Sequence, residues 1–211
     1  MSRSFAKKSR TQQVLAAVIG NALEWYDFVI FGFMMVVISQ LFFPTSSEYA
    51  SLLLATATFG AGFVMRPVGG FLIGIYADRR GRKAALQLIM ALMSIAMLMI
   101  SLAPTYAVIG VAAPVIIVAA RLLQGFATGG EFSSATSFLL EMAPASRRGL
   151  YTSWQMFGQG LALLCGASVG TLITHALPPG AIDSWGWRVP FLLGLLIAPV
   201  ALWIRCHLDE T

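Results

Sequence analysis

Five ionisable side chains, Glu24, Asp27, Arg66, Arg121 and Glu131, lie inside runs of apolar residues long enough to cross a bilayer. Each costs at least about 2.5–3.5 kcal/mol at the centre of a membrane helix, so such groups mark ion or substrate handling by default. Asn21, Glu24 and Asp27 recur every third residue and share one side of a helix. Arg121, Gln124, Thr128 and Glu131 fall within an arc of about 80° at roughly 100° per residue. Gly62, Arg66, Gly70, Gly74 and Asp78 repeat every fourth residue. Each polar stripe is expected to face a bundle interior, leaving Phe28, Val29 and Ile117 toward lipid.

Depth follows from helical rise. Glu24, Arg66 and Glu131 each lie about ten residues from one end of their apolar run, or about 15 Å deep at 1.5 Å per residue. Asp27 lies one turn further out and Arg121 nearer the opposite face. The expectation is one mid-membrane network of Glu24, Asp27, Arg66 and Glu131. An acid in excess over the arginine can bind and release a proton, and the arginine can hold an anion. The alternative is a static ion-pair network that only orients helices. Pro67 and the glycines beside it loosen the helix next to Arg66, which favours a working site. Gly158, Gly160, Gly166 and Gly170 permit close helix packing, Gly166 and Gly170 forming a small-xxx-small pair.

The elements that must position these groups follow from composition. Of 211 residues 58% are hydrophobic and 11% charged, and mean hydropathy is +0.79. A soluble domain carries roughly 25% charged residues, so this chain reads as an all-α membrane protein. Six spans are expected, at about Val14–Leu41, Tyr49–Ala77, Ala84–Leu102, Ala113–Leu140, Tyr151–Leu177 and Val189–Ile204.

The net charge of +5 is not a nucleic-acid signature. Arg3, Lys7, Lys8 and Arg10 precede the first span, Arg79, Arg80, Arg82 and Lys83 follow the second, and Arg147 and Arg148 follow the fourth. Basic residues on alternate loops place both termini in the cytoplasm, with Arg188 the main exception. The first apolar run is too long, and too charged, for a cleaved signal peptide. Cys165 and Cys206 suggest neither a disulfide nor a metal site. No cofactor is expected, and His175 and His207 fall on opposite faces. No H-x-x-x-H or G-x-S-x-G pattern supports an integral-membrane enzyme.

The second-to-third junction reads Gly74-Ile-Tyr-Ala-Asp78-Arg79-Arg80-Gly81-Arg82-Lys83. Asp78 is expected at the negative pole of its helix, where an acid needs a partner such as Arg82, and Gly81 permits a turn with positive φ. This stretch resembles the signature loop of the major facilitator superfamily, G-x-x-x-D-R-x-G-R-K. Arg121-Leu-Leu-Gln124-Gly125 is similar to its fourth-helix motif, and Glu141 with Arg147-Arg148-Gly149 to its fourth-to-fifth loop. Gly20 to Phe28, Met65-Arg66-Pro67, Gly129-Gly130-Glu131-Phe132 and Trp185 to Phe191 look most like its metabolite:proton symporters. Tyr151 to Gln155 and Ile109 to Pro114 look like the citrate and tricarballylate branch.

The resemblance implies import of a small carboxylate with protons, the coupling ion, by alternating access. Glu24, Asp27 and Glu131 would handle protons, while Asn21, Arg66, Arg121 and Gln124 would form the substrate or charge network. Gly74, Asp78, Arg79, Gly81, Arg82, Lys83, Glu141 and Arg148 would form a cytoplasmic gate. It also implies twelve spans in two six-helix halves with the site between them. This chain would be the N-terminal half in an inner membrane, with a second half as partner. The alternatives are an osmolyte:proton symporter of the same family and a non-transporting half.

Overall fold

The computed structural model describes residues 10–195 and residue 199. The side chains of Arg82, Lys83 and Glu131 lie outside the described residues, as does most of the sixth span beyond residue 195. So do His207 and Cys206. Long apolar runs with no water to satisfy their backbone fold as helices, and they do so here. The order is α1 (Arg10–Phe33), α2 (Met35–Phe42), α3 (Glu48–Arg80), α4 (Arg82–Leu102), α5 (Tyr106–Ile109), α6 (Ala112–Met142), α7 (Arg148–Ala176) and α8 (Pro179–Ala181). A π-helical turn at Ile182–Gly186 leads into α9, residues 188–195.

Four of these helices are long and apolar enough to cross a membrane among the described residues, and α1 with α2, taken as one bent span, makes five. The expected sixth span starts with α9 and lies mostly outside the described residues. The expected first span therefore exists but is not straight. Its axis turns by 65° at Met34, whose ψ of 5° departs from the helix. The bond from Met34 N–H to the Ile30 carbonyl (2.9 Å) and that from Ile38 N–H to the Met34 carbonyl (2.8 Å) are kept across the bend. Beyond it, Ile38 and Phe42 are buried, and Phe42 meets Trp187 edge-on at 5.2 Å between ring centres.

By contrast, α3 continues as one helix through Pro67. It also runs three residues past the expected end, so Asp78 lies in its last turn as expected, and Arg79 and Arg80 join it there rather than in a loop. The junction shrinks to Gly81, which has the expected positive φ of 90° and donates its N–H to the Ala77 carbonyl. Glu141 likewise sits in the last turn of α6, and Arg148 opens α7.

Two tightly packed helix pairs frame the bundle: α3 lies on α6 and α1 on α7, with α4 also against α6. Glycines explain the first pair. A Cβ on Gly125 would overlap the Gly62 carbonyl, and one on Gly69 would overlap that of Phe126. In the second pair Val18, Val29 and Phe33 of α1 press on Gly158, Gly166 and Gly170 of α7. Val29 and Phe28 therefore face neighbouring helices, and Ile117 is fully buried. None of the three points to lipid as the simple stripe argument had placed them. The exposed apolar positions are instead residues such as Val64, Phe71, Val115 and Leu164.

Candidate transport site

The buried charges come chiefly from α1, α3 and α6. Glu24 and Asp27 are 3% and 1% exposed, and Arg121 is 2% exposed, so none of the three carries its charge into solvent. Arg121 NH1 donates to Asp27 Oδ2 at 2.7 Å, a short charge-assisted bond. Arg66 NH2 lies 3.7 Å from Glu24 Oε1. The side chain of Glu131, the fourth member of the expected network, lies outside the described residues. Among the described side chains Asp27 thus pairs with Arg121 and Glu24 with Arg66. The reason is axial: Asp27 is one turn beyond Glu24 on α1, level with Arg121 on the antiparallel α6.

Four phenylalanine rings stand between the pairs. The Arg66 guanidinium lies 4.3 Å from the Phe63 ring centre and 4.7 Å from that of Phe28. The Arg121 guanidinium lies 3.7 Å from Phe31 and 6.0 Å from Phe59. Phe31 and Phe59 stack at 5.6 Å, and Phe28 meets Phe59 edge-on at 5.6 Å. Both cations are thus held against aromatic faces, which attract them most strongly away from water.

The two sites differ in access. Arg121 is enclosed, whereas the Arg66 side chain is 30% exposed and its Nε has no hydrogen-bond partner. A partly exposed guanidinium can exchange its carboxylate for one on a small molecule. The buried pair can change only by moving a proton or by moving helices. Next to Arg121, the Gln124 amide is buried with both polar atoms unpartnered. Asp27 Oδ1 is unpartnered too. Such groups in a membrane core need ligand or water partners.

Asn21, Glu24, Asp27, Arg66, Arg121 and Gln124 are all brought to the interior between α1, α3 and α6. Glu131 lies on α6, its side chain outside the described residues. Of the expected gate residues, Asp78, Arg79, Glu141 and Arg148 are exposed at helix ends, and Gly81 forms the single-residue turn between α3 and α4. The α3 stripe therefore runs from buried Gly62 to exposed Asp78 instead of facing inward throughout. Two buried polar residues of α7 escaped the sequence reading: Gln159, which donates to Asn21 Oδ1 at 2.8 Å, and Gln155, which accepts from Thr136 at 2.9 Å. Their signal was an i, i+4 glutamine pair on an apolar helix.

The sugar (and other) transporter family matches residues 13–211, and the chain belongs to that family, within the major facilitator superfamily. As a member of a transporter family it is a multi-pass membrane protein and not an enzyme. The citrate-proton symporter of Klebsiella pneumoniae is 43% identical over 203 residues, covering 96% of this chain and 46% of that protein. The proline/betaine transporter of Salmonella typhimurium is 37% identical over 198 residues, covering 94% and 40%. The chain therefore spans under half the length of these curated relatives. The inward-open, partially occluded structure of the xylose transporter XylE from E. coli superposes with a TM-score of 0.85 at 21% identity, over 95% of this chain and 48% of that one. At that identity the likeness speaks to the fold alone.

Proposed function

We propose that the chain is the N-terminal six-helix half of a secondary transporter that imports a small organic acid together with protons by alternating access. Its partner is a second six-helix half, and the site lies between the two. It resides in the inner membrane with both termini in the cytoplasm, as the basic residues on alternate loops favour. Asp27, Glu24 and Glu131 handle protons. Arg66 receives the substrate carboxylate, and Asn21 and Gln124 belong to the surrounding polar network. Arg121 links proton and substrate, because any proton taken by Asp27 releases the arginine from its only charge partner among the described residues. The turn at Gly81, flanked by Asp78, Arg79, Arg82 and Lys83, acts with Gly74, Glu141 and Arg148 as the cytoplasmic gate.

The observation that carries this reading is the enclosed Asp27–Arg121 pair beside the half-open Arg66–Glu24 pair. Two such pairs cost a static bundle several kcal/mol of insertion energy, which a proton- and anion-handling site explains. The relative named as a citrate-proton symporter supports an organic acid. The relative named as a proline/betaine transporter keeps a zwitterionic osmolyte as the second reading, since its carboxylate could use the same arginine.

Uptake into vesicles holding both halves tests the proposal. Labelled citrate should accumulate under an inward proton gradient, with competition by unlabelled citrate and none by betaine. Accumulation in Glu24→Gln and Asp27→Asn variants should collapse. Wild-type proton coupling in both variants would overturn the proton assignment, and competition by betaine alone would favour the osmolyte.

A further inference from the structure

A set of buried polar side chains outside the two ion pairs runs along the junction of α1, α6 and α7. Asn21 is fully buried, Gln155 is 2% exposed and Gln159 8% exposed. Gln159 Nε2 donates to Asn21 Oδ1, and the Thr136 hydroxyl donates to Gln155 Oε1. Each bond uses the oxygen of one amide and leaves its nitrogen free. Asn21 Nδ2 and Gln155 Nε2 are both sealed from solvent with no partner. An orphaned buried donor costs about 1–3 kcal/mol. A set of residues serving only to pin helices together would pair these donors or replace them with apolar groups.

The positions form a line. On α1, Asn21 is one turn from Glu24, and on α7 Gln155 is one turn from Gln159. Gln155 lies two turns from Arg148, and Thr136 lies six residues before Met142, at the end of α6. The line thus descends from the carboxylates toward the face bearing Arg147 and Arg148. The Cβ atoms of residues one turn apart are about 5–6 Å from each other, a gap that one water making two hydrogen bonds of about 2.8 Å can bridge.

We propose that Asn21, Gln159, Gln155 and Thr136 hold a file of water molecules that carries protons between Glu24 and the Arg147–Arg148 face. The inference rests on the proton-coupled reading above. The amides do not titrate; their N–H groups hold the water oxygens in line. At each oxygen one O–H bond breaks as another forms. One proton therefore enters at one end of the file for each that leaves at the other, and no further reactant is required. The route runs within this half, beside the α1–α7 contact, rather than through the cavity between halves.

The test uses the two-half transporter in vesicles. Gln155→Met and Gln159→Met keep the side-chain length and remove the donor, whereas Gln155→Ala removes the donor but leaves room for water. Proton-driven uptake should fall about tenfold in the methionine variants, a barrier rise of about 1.4 kcal/mol. Exchange of labelled for unlabelled substrate, which moves no net proton, should stay at the wild-type rate in both. Gln155→Ala should retain uptake, an order opposite to that of a packing role. Equal loss of uptake and exchange, or alanine worse than methionine, would overturn the water file. So would methionine variants that couple normally. A wild type that takes up substrate without proton influx would instead sink the transport reading on which the file depends.

Discussion

The Arg66 carbonyl rests directly on the Cα of Gly129, so closely that a Cβ at position 129 would overlap it. The backbone that aims the half-open arginine is therefore set by a glycine on the neighbouring helix. Gly129→Ala should force α3 and α6 apart at the level of Arg66. Overpacking of this kind costs about 1–3 kcal/mol. The expected result is a lower melting temperature in detergent and reduced uptake. Gly160→Ala, on a face of α7 where an added methyl meets nothing within 4 Å, should leave both unchanged.

The Asp27–Arg121 pair predicts an asymmetry between single and double substitutions. Removing one member of a buried pair leaves an uncompensated charge and costs about 3–5 kcal/mol. Arg121→Gln strands the Asp27 carboxylate and should lower thermal stability sharply. Asp27→Asn strands a guanidinium that still has the faces of Phe31 and Phe59, and should lower it less. The double variant Asp27→Asn with Arg121→Gln should recover most of the stability but none of the proton-coupled uptake. Thermal unfolding and uptake on the same four proteins separate the structural from the functional role.

The sequence made the helices and their buried charges plain, because both are one-dimensional signals: apolar run length, and ionisable residues interrupting it. The positive φ at Gly81 was equally legible from the loop pattern. Pairing was not, since it depends on how each helix is rotated and on how far its neighbour is offset. Yet the depth estimate already held the clue, as it put Asp27 one turn beyond Glu24 and Arg121 toward the same side. The 65° turn at Met34 left no such trace. No proline marks it, and Gly32 is the nearest glycine. The segment that follows buries Ile38 and Phe42, a tertiary cause of the bend that no local pattern carries.

The aromatic faces under Arg66 yield a binding prediction. Phe28 and Phe63 hold the guanidinium from two sides, fixing where a substrate carboxylate must arrive. A cation–π contact is worth about 0.5–2 kcal/mol depending on exposure. Phe28→Leu keeps the apolar bulk but removes the ring. The half-saturation concentration for an organic acid should therefore rise about three- to tenfold, with the maximal rate changed less. A fall in maximal rate alone would mean that the ring serves helix movement rather than substrate placement.

The end of the bundle where α4 closes and α9 begins is tied by Arg188. Arg188 NH2 donates to the Ala103 carbonyl at 3.0 Å, its NH1 donates to the Ser184 carbonyl at 2.9 Å, and its guanidinium lies 4.3 Å from the Trp187 ring centre. Ala103 closes α4, so this side chain fastens the third span to the start of the sixth across the π-helical turn. Hydrogen bonds from a charged donor contribute about 1.5–3 kcal/mol, with partial exposure of the Ser184 contact reducing that one. Arg188→Ala should lower the melting temperature and raise amide hydrogen exchange around 103–110 and 182–188. Arg188→Lys, which has one nitrogen for two carbonyls and no planar face to stack on Trp187, should restore only part of the protection. Protection at wild-type level in Arg188→Ala would show that the apolar contact of Phe42 with Trp187 holds this end without the arginine.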